Sequence, residues 1–225
     1  MTHTDDAAFR IERLRAGYTG QPVLSEISAT IPRGRITAIV GPNGSGKSTL
    51  LGILAGTVTA QSGTVHRSTA RKPAFVVQHS AIPAALPMTV REAVAMGRWA
   101  HRGPWRRLTK EDREIARACL ERMDLADLAS RRLDTLSGGQ RQRTLLAQAL
   151  AQQSDLVLLD EPSTGLDAAS RAEISRALTE ISATGVTVVQ ATHDMAEAEQ
   201  ADYCLLLRDG RLEAAGHPKE VLVRA

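Results

Sequence analysis

Aromatic residues, cysteines and long apolar runs are all scarce in this chain of 225 residues. Only 3% of its residues are aromatic, and its two cysteines, Cys119 and Cys204, lack Cys-x-x-Cys spacing. A disulfide framework or a cysteine-bound metal site is therefore not predicted. No stretch approaches the roughly 18 apolar residues of a membrane span, and the opening MTHTDDAAFR has no hydrophobic signal region. We therefore expect a cytoplasmic protein with two thiols in a reducing compartment.

The chain has enough apolar residues to form a full hydrophobic core, because 43% of its residues are hydrophobic. This length and composition fit one large domain with lobes. The formal net charge is +3. Four arginines that lie close together carry more positive charge than this net value: Arg98, Arg102, Arg106 and Arg107. They lie in GRWAHRGPWRRLTKED, residues 97–112, which also holds both tryptophans. Taken alone, this stretch suggests a groove for nucleic acid, where arginines neutralise phosphates and rings stack on bases.

Strand patterns come first along the chain and helical patterns follow. FRIERLRAGY, PVLSEISATI and RITAIV are typical of strands. Two sites then resemble capping boxes that start helices, Thr89 with Glu92 and Thr109 with Asp112. In the second of these helices, helical spacing predicts one apolar face, formed by Ile115, Cys119, Met123 and Ala126.

After residue 155, short apolar runs alternate with helical segments, the first of them predicted over residues 168–183. The runs are DLVLLDE, GVTVVQATHD and DYCLLLRDG. Such alternation predicts a largely parallel sheet with helices on both faces.

GPNGSGKST, residues 41–49, matches the pattern G-x-x-x-x-G-K-[ST] between a strand pattern and a helix pattern. A polyphosphate needs several converging backbone N–H donors, which glycines permit by closing the loop tightly, and the helix N-terminus adds its dipole. Lys47 would reach the β- and γ-phosphates, and the Ser48 hydroxyl would bind Mg²⁺. An ordinary glycine turn is the alternative. The predicted phosphate site consists of Gly41, Pro42, Asn43, Gly44, Ser45, Gly46, Lys47, Ser48 and Thr49.

DLVLLDE, residues 155–161, is an apolar run that ends in two carboxylates. A buried strand of this kind would deliver Asp160 to the phosphate loop, where it can hold Mg²⁺ through the water shell of the ion. Glu161 can polarise the attacking water. Without the phosphate loop, two solvated acids in a surface turn would be the better interpretation.

LSGGQ, residues 136–140, precedes a helix whose apolar side contains Leu145, Leu146, Ala149 and Leu150. Ser137 and two glycines at a helix N-terminus predict a second anion site in the same chain. A flexible loop is the alternative interpretation.

Together these motifs resemble the nucleotide-binding subunit of the ABC transporter family, over nearly the whole chain. The resemblance implies that Gln78 in VVQH senses Mg²⁺ and links the site to a membrane partner. It implies that His193 in ATHD contacts the γ-phosphate and that Tyr18 stacks on adenine. It further implies contacts to the ATP of a facing subunit, made by Ser137, Gly138, Gly139, Gln140 and Asp167. Thr144 and Gln148 stand where the family often has valine and arginine.

The fold implied by the resemblance is α/β. It has a P-loop NTPase core with a mostly parallel sheet, an N-terminal antiparallel β subdomain and an inserted α-helical subdomain. The core and β subdomain would take residues 9–78 and 154–225, and the helical subdomain residues 79–153. Because each chain has one phosphate loop and one LSGGQ, it must pair, most simply with itself, as a two-fold sandwich around two ATP molecules.

The resemblance also implies separate transmembrane permease subunits, an indirect partnership with an extracytoplasmic substrate-binding protein, and a location on the inner face of the cell membrane. The middle region, from MTVREAVAMGRW to LSGGQRQR, is similar to the zinc, manganese and iron-chelate importers. We expect zinc before manganese as cargo, with siderophore or haem uptake as the alternative. A soluble ABC ATPase acting on nucleic acid is less favoured, because such proteins usually carry long insertions or two cassettes; no nucleic-acid partner is expected.

The arginine-rich stretch then falls in the helical subdomain, which the family turns toward the membrane subunits. The favoured interpretation is that Trp99 and Trp105 pack the turn against this subdomain while the arginines stay solvated. The alternative is that the arginines face the permease or anionic lipid head groups.

Overall fold

An antiparallel sheet of three strands comes first in the computed structural model, which describes residues 6–18, 21–77 and 88–224. Its strands are β1 (Ala7–Tyr18), β2 (Gln21–Pro32) and β4 (Ser62–Arg67), in the order β2-β1-β4. Ile11 and Leu14 of β1 are both buried although they are three positions apart, an odd spacing that would place them on opposite faces of a regular strand. Arg13 between them has φ +45°, and the pairing register shifts here. The bulge adds one residue to β1 at this point and so changes which positions of the strand face the core. Both apolar side chains therefore remain buried.

A second sheet has six strands. Its order is β5-β6-β7-β3-β8-β9, with β3 (Ile36–Val40), β5 (Ala74–Val76), β6 (Leu156–Asp160), β7 (Thr187–Thr192), β8 (Tyr203–Arg208) and β9 (Arg211–Gly216). β3 pairs in parallel with β7 and β8, and β6 pairs in parallel with β7, whereas β8 and β9 are antiparallel. Every residue of β3, β6 and β7 is buried, as expected for strands covered on both faces. The predicted α/β fold with a mostly parallel sheet is confirmed.

The helices predicted at the two capping boxes, after the phosphate loop, after LSGGQ and over residues 168–183 all form, and the structure has further short helices that were not predicted. The helices are α1 (Lys47–Ala55), α2 (Val90–Met96), α3 (Trp99–Arg102), α4 (Lys110–Arg122), α5 (Gly138–Ala151), α6 (Ala168–Ala183), α7 (Met195–Glu199) and α8 (Pro218–Val221). Short 3₁₀ turns occupy Ala126–Leu128, Leu133–Thr135 and Leu222–Arg224. Both predicted capping boxes form, at Thr89 before α2 and at Thr109 before α4. A third stands before α5, where Ser137 Oγ accepts the N–H of Gln140 at 3.2 Å.

The described chain divides into two compact units. One comprises Met1–Phe75, Asp155–Pro162 and Leu178–Ala225, and the other Val76–Ser154 and Ser163–Ala177. In the first unit, buried residues of both sheets and of α1 form one hydrophobic core, which includes Phe9, Leu50 and Leu205. Within residues 6–18, 21–77 and 88–224, no helix has the length and apolarity needed to cross a membrane.

The buried face of α4 differs from the predicted one. Its buried side chains are Asp112, Ala116 and Leu120, followed by Met123, while Ala126 is exposed. The face is rotated because a carboxylate, which an apolar pattern cannot include, points inward to buried partners. Of the predicted face, Ile115 and Cys119 are half-buried and Met123 is buried, whereas Ala126 lies beyond the end of α4 and is exposed. The helix is confirmed, and the predicted face was wrong for Ala126 and in leaving out Asp112.

One partner of that carboxylate is Arg98, which was expected to be solvated. Arg98 Nε donates to Asp112 Oδ1 at 3.0 Å, and its Nη1 donates to the Ala151 and Gln153 oxygens at 2.9 and 2.8 Å. Trp105, which was expected to pack, is instead 94% exposed, while Trp99 is 37% exposed. The favoured interpretation of this stretch was therefore wrong for Arg98, which a buried acid binds, and for Trp105, which does not pack, whereas Arg106 and Arg107 are exposed as predicted.

Candidate functional site

The loop between β3 and α1 turns tightly, and three of its glycines make that possible. Gly44 and Gly46 have φ values of +82° and +100°, in the left-handed region that glycine adopts most easily. A Cβ on Gly41 would lie only 2.1 Å from the carbonyl oxygen of Leu207. The loop therefore runs directly from a buried strand into the N-terminus of α1, where backbone N–H groups suit an anion.

Lys47 is buried at the start of α1, and its side chain folds back over the loop. Its Nζ donates to the carbonyl oxygens of Gly41 and Pro42 at 2.8 and 3.0 Å. Burial lowers the pKa of Lys47, and the carboxylates of Glu161 and Asp160 oppose that shift. The ammonium is thus held against the loop in which a phosphate would lie.

Ser45 gives the loop a further donor, because its Oγ is buried and has no hydrogen-bond partner among the described residues. A buried hydroxyl without a partner is costly, since it has lost its water. A buried cation, this unpaired hydroxyl and the α1 N-terminus together fit a polyphosphate anion.

Ser48 and Asp160 lie together at the carboxyl end of β6. The Ser48 hydroxyl donates to Asp160 Oδ1 at 3.0 Å, across 112 positions of sequence. Burial raises the pKa of Asp160, and the hydrogen bond from Ser48 opposes this shift. Carboxylate and hydroxyl oxygens are the ligands that Mg²⁺ prefers, so these two residues fit the ion.

Glu161 and His193 also meet, at the ends of the neighbouring strands β6 and β7. Glu161 Oε1 lies 3.3 Å from His193 Nδ1, and the Glu161 side chain is only 11% exposed. Glu161 has φ +48°, an uncommon value for a residue with a side chain, and its N–H donates to the Ala191 carbonyl at 3.0 Å. The backbone therefore fixes the carboxylate beside the histidine.

Thr192 and Glu197 hold the histidine loop, and the sequence interpretation missed both. The Thr192 hydroxyl donates to Glu197 Oε2 at 2.7 Å and accepts the N–H of Asp194 at 3.0 Å. Asp194 in turn caps α7 by accepting the N–H of Ala196. The acid three residues after Asp194 has capping-box spacing, and that signal could have predicted the role of Glu197.

The LSGGQ residues and Asp167 lie together in the second unit. A Cβ on Gly139 would come within 2.5 Å of Ser170 Oγ, so only glycine lets the starts of α5 and α6 approach this closely. Asp167 Oδ1 accepts the N–H of Ser170 at 2.7 Å, and this hydrogen bond is the main reason for its lowered pKa. Gly138 faces Leu166, where the corresponding distance is 3.1 Å.

Two predicted site positions cannot be placed. Gln78 lies outside the described residues, and so does the side chain of Tyr18, whose backbone pairs with Gln21. The departure at Thr144 has a local account: this buried side chain donates to the Gln140 carbonyl at 2.8 Å. Nothing in the structure explains Gln148.

The fold and this loop define a class, that of P-loop proteins that bind and hydrolyse nucleotides. A protein-family model described as ABC transporter matches residues 24–164. The chain belongs to the ABC transporter family and is one of its ATPases.

Several proteins and a solved structure are similar to this chain over most of its length. The ferric enterobactin transport ATP-binding protein FepC of Escherichia coli (strain K12) is 37% identical, covering 96% of this chain and 84% of that protein. The manganese transport system ATP-binding protein MntB of Bacillus subtilis (strain 168) is 36% identical, covering 88% and 82%. The hemin import ATP-binding protein HmuV of Streptomyces coelicolor (strain ATCC BAA-471 / A3(2) / M145) is 38% identical, covering 94% and 78%. A dimeric ATP-binding cassette bound to ADP and Pi has a TM-score of 0.80 at 27% identity, covering 93% and 98%.

Proposed function

We propose that this chain is the ATP-hydrolysing subunit of an importer for a metal ion or metal chelate. The observation that carries the hydrolytic part is the meeting of Glu161 with His193 beside the Ser48 and Asp160 pair. We assign residues 9–78 and 154–225 to the nucleotide core with its β subdomain, and residues 79–153 to the helical subdomain.

Each residue of the site has a role that follows from its chemistry. Lys47 binds the β- and γ-phosphates, and the Glu161 carboxylate accepts the proton of the attacking water. His193, held 3.3 Å from that carboxylate, contacts the γ-phosphate. The ring of Tyr18 stacks on adenine.

Ser48 and Asp160 have the oxygen ligands for Mg²⁺, and Gln78 is the third residue that we assign to it. When bound, Mg²⁺ supplies positive charge that neutralises the phosphate oxygens during transfer. Since Ser48 and Asp160 already lie 3.0 Å apart, the protein positions both ligands by its own folding.

Two copies of the chain are required for two complete sites. The LSGGQ residues Ser137, Gly138, Gly139 and Gln140, with Asp167, contact the ATP held by the phosphate loop of the facing copy. The similar dimeric cassette supports a two-fold dimer of this kind. ATP binding closes the dimer and hydrolysis opens it.

Separate permease subunits convert that motion into alternating access, and the chain lies on the inner face of the membrane beside them. An extracytoplasmic substrate-binding protein takes part indirectly. A soluble ABC ATPase acting on nucleic acid is the less favoured alternative, because the reported relatives are named for transport.

The cargo is a metal, either as a divalent ion or within a chelate. Names of the reported relatives support manganese, a ferric siderophore and haem equally well. The preference for zinc over manganese as cargo rests on the sequence resemblance alone and stays a prediction.

Growth of a deletion strain tests the cargo. Chelator-treated medium is supplemented in turn with zinc, manganese, a ferric siderophore or haem, and cell metal is measured by mass spectrometry. We expect the deletion strain to grow poorly and to contain little metal with one of these supplements. The wild-type gene should restore growth on it, and the Lys47→Ala variant should not. Equal growth on all supplements would contradict a metal importer, and rescue by Lys47→Ala would contradict an ATP-driven one.

A further inference from the structure

The turn between α3 and α4 exposes an unusual combination of side chains. We call residues 103–108 the tryptophan turn. Trp105 is 94% exposed there, and the following Arg106 and Arg107 are exposed as well. Gly103, with φ +76°, has nothing within 4 Å of the position that a Cβ would take. A large apolar ring thus stands clear of the unit that carries it.

Both ends of the tryptophan turn are held firmly. Before it, Arg98 and Arg102 bind the same buried carboxylate, Asp112, at 3.0 and 2.5 Å. After it, Thr109 caps α4 and accepts a hydrogen bond from Arg102 at 3.2 Å. His101 is also within 2.6 Å of the Gln152 carbonyl. Hydrogen bonds and ion pairs on both sides therefore fix the ends of the turn from which the exposed Trp105 side chain projects.

The charge of the tryptophan turn is positive and uncompensated. Asp112 forms ion pairs with both arginines that precede the turn, Arg98 and Arg102, and Lys110 lies 3.8 Å from Glu114. In the described part of the chain, Arg106 and Arg107 form no ion pair within 4.0 Å. One exposed indole is thus followed by two guanidinium groups that form no ion pair among the described residues.

We propose that the tryptophan turn binds the surface of an anionic membrane, with the Trp105 ring among the head groups and Arg106 and Arg107 on lipid phosphates. Indole is enriched at membrane–water interfaces, because it has an apolar body and one polar N–H. Juxtamembrane arginines are attracted to anionic lipid.

A membrane fits the tryptophan turn better than a protein does. A stable protein interface needs about 800 Å² and 20–30 residues on each side, with anchors that fill pockets. One projecting ring and two cations lack that extent, whereas a fluid interface can accept a single ring. This contact goes beyond the proposed transport function, and vesicles without any permease can test it.

Fluorescence of the single-tryptophan variant Trp99→Phe gives the direct test, because Trp105 is then the only indole. The full-length variant is titrated with vesicles of phosphatidylcholine alone or mixed with phosphatidylglycerol, at low and high salt. We expect a blue shift with anionic vesicles, reversal by salt, and quenching by brominated acyl chains. In the reciprocal variant Trp105→Phe, we expect Trp99 to show little change.

Charge variants complete the test by co-sedimentation with the same vesicles. Arg106→Ala with Arg107→Ala should weaken partitioning by roughly 25-fold, at about fivefold for each arginine near an anionic surface. Arg33→Ala with Arg35→Ala removes the same charge from an exposed turn after β2 without a tryptophan, and should bind as the wild type does. Circular dichroism checks that each variant is folded.

Three outcomes would overturn the proposal. They are an unchanged Trp105 emission with anionic vesicles, equal weakening by the two arginine pairs, or a blue shift only when permease is reconstituted in the vesicles. The last would assign the tryptophan turn to a protein surface. None of them would change the ATPase or cargo proposals, which are measured without vesicles.

Discussion

Replacing Glu161 with Gln removes the proposed general base with little change of shape. The carboxylate is fixed in two ways, by a backbone hydrogen bond to Ala191 and by His193 at 3.3 Å from Oε1. A glutamine amide can occupy the same space and still contact the imidazole, but it cannot accept a proton from water. The variant therefore separates proton transfer from the geometry of the site.

The size of the effect follows from that separation. Positioned general bases contribute about 10²–10⁴-fold to a rate, or about 3–5 kcal/mol of the barrier. We expect kcat for ATP hydrolysis to fall by that factor in Glu161→Gln. ATP affinity should stay near the wild-type value, because Lys47 and Ser48 are untouched, and an ATP-bound dimer should persist.

The assay is phosphate release at saturating ATP and Mg²⁺, with equilibrium nucleotide binding and light scattering in parallel. Glu199→Gln is the matched control, since it makes the same change at an exposed position of α7 and should keep wild-type kcat. If His193 and Glu161 act as a unit, adding His193→Ala to Glu161→Gln should cost less than the product of the single losses. Wild-type hydrolysis by Glu161→Gln would refute the assignment of the base.

Two further changes probe the second unit. Gly139→Ala forces a methyl group against Ser170 and should lower the unfolding free energy by about 1–3 kcal/mol, as overpacking does; urea unfolding measures this, and an unchanged midpoint would contradict the close approach. The hydrogen bond from the N–H of Thr109 is the main cause of the low pKa of Asp112. The Asp112 carboxylate therefore stabilises the folded state fully above its pKa in the unfolded chain, about 4, and this stabilisation is lost as the pH falls. The stability gap between wild type and Asp112→Asn should therefore narrow on acidification, while Glu111→Gln tracks the wild type; a gap independent of pH would refute the argument.

Local patterns were sufficient wherever neighbouring residues create the structure. Ser137 and Gln140 form their capping box within one helical turn, and the phosphate loop closes through its own glycines. The order of strands and helices also follows from short segments. Such features depend on contacts of low sequence separation, so that spacing alone predicts them.

The incorrect predictions concern contacts between distant positions. Arg98 is buried because Asp112 and the carbonyl of Ala151 receive it, and Ala151 is 53 positions away. A helical wheel scores Asp112 as polar and turns it outward, which shifted the predicted face of α4. Neither the burial of Arg98 nor the exposure of Trp105 has a signal in the local pattern, since both depend on packing within the unit.

Glu161 has a left-handed backbone conformation, with φ +48°. At this position, the residue that best suits the proposed activity differs from the residue that best suits stability. A residue with a side chain loses about 1–2 kcal/mol in that conformation, which glycine would largely avoid. Glycine would therefore be the more stabilising choice at position 161, and it would abolish the proposed base. Library screens that reward thermostability alone should select against the native residue here, so they need an ATPase counter-screen to keep a working enzyme.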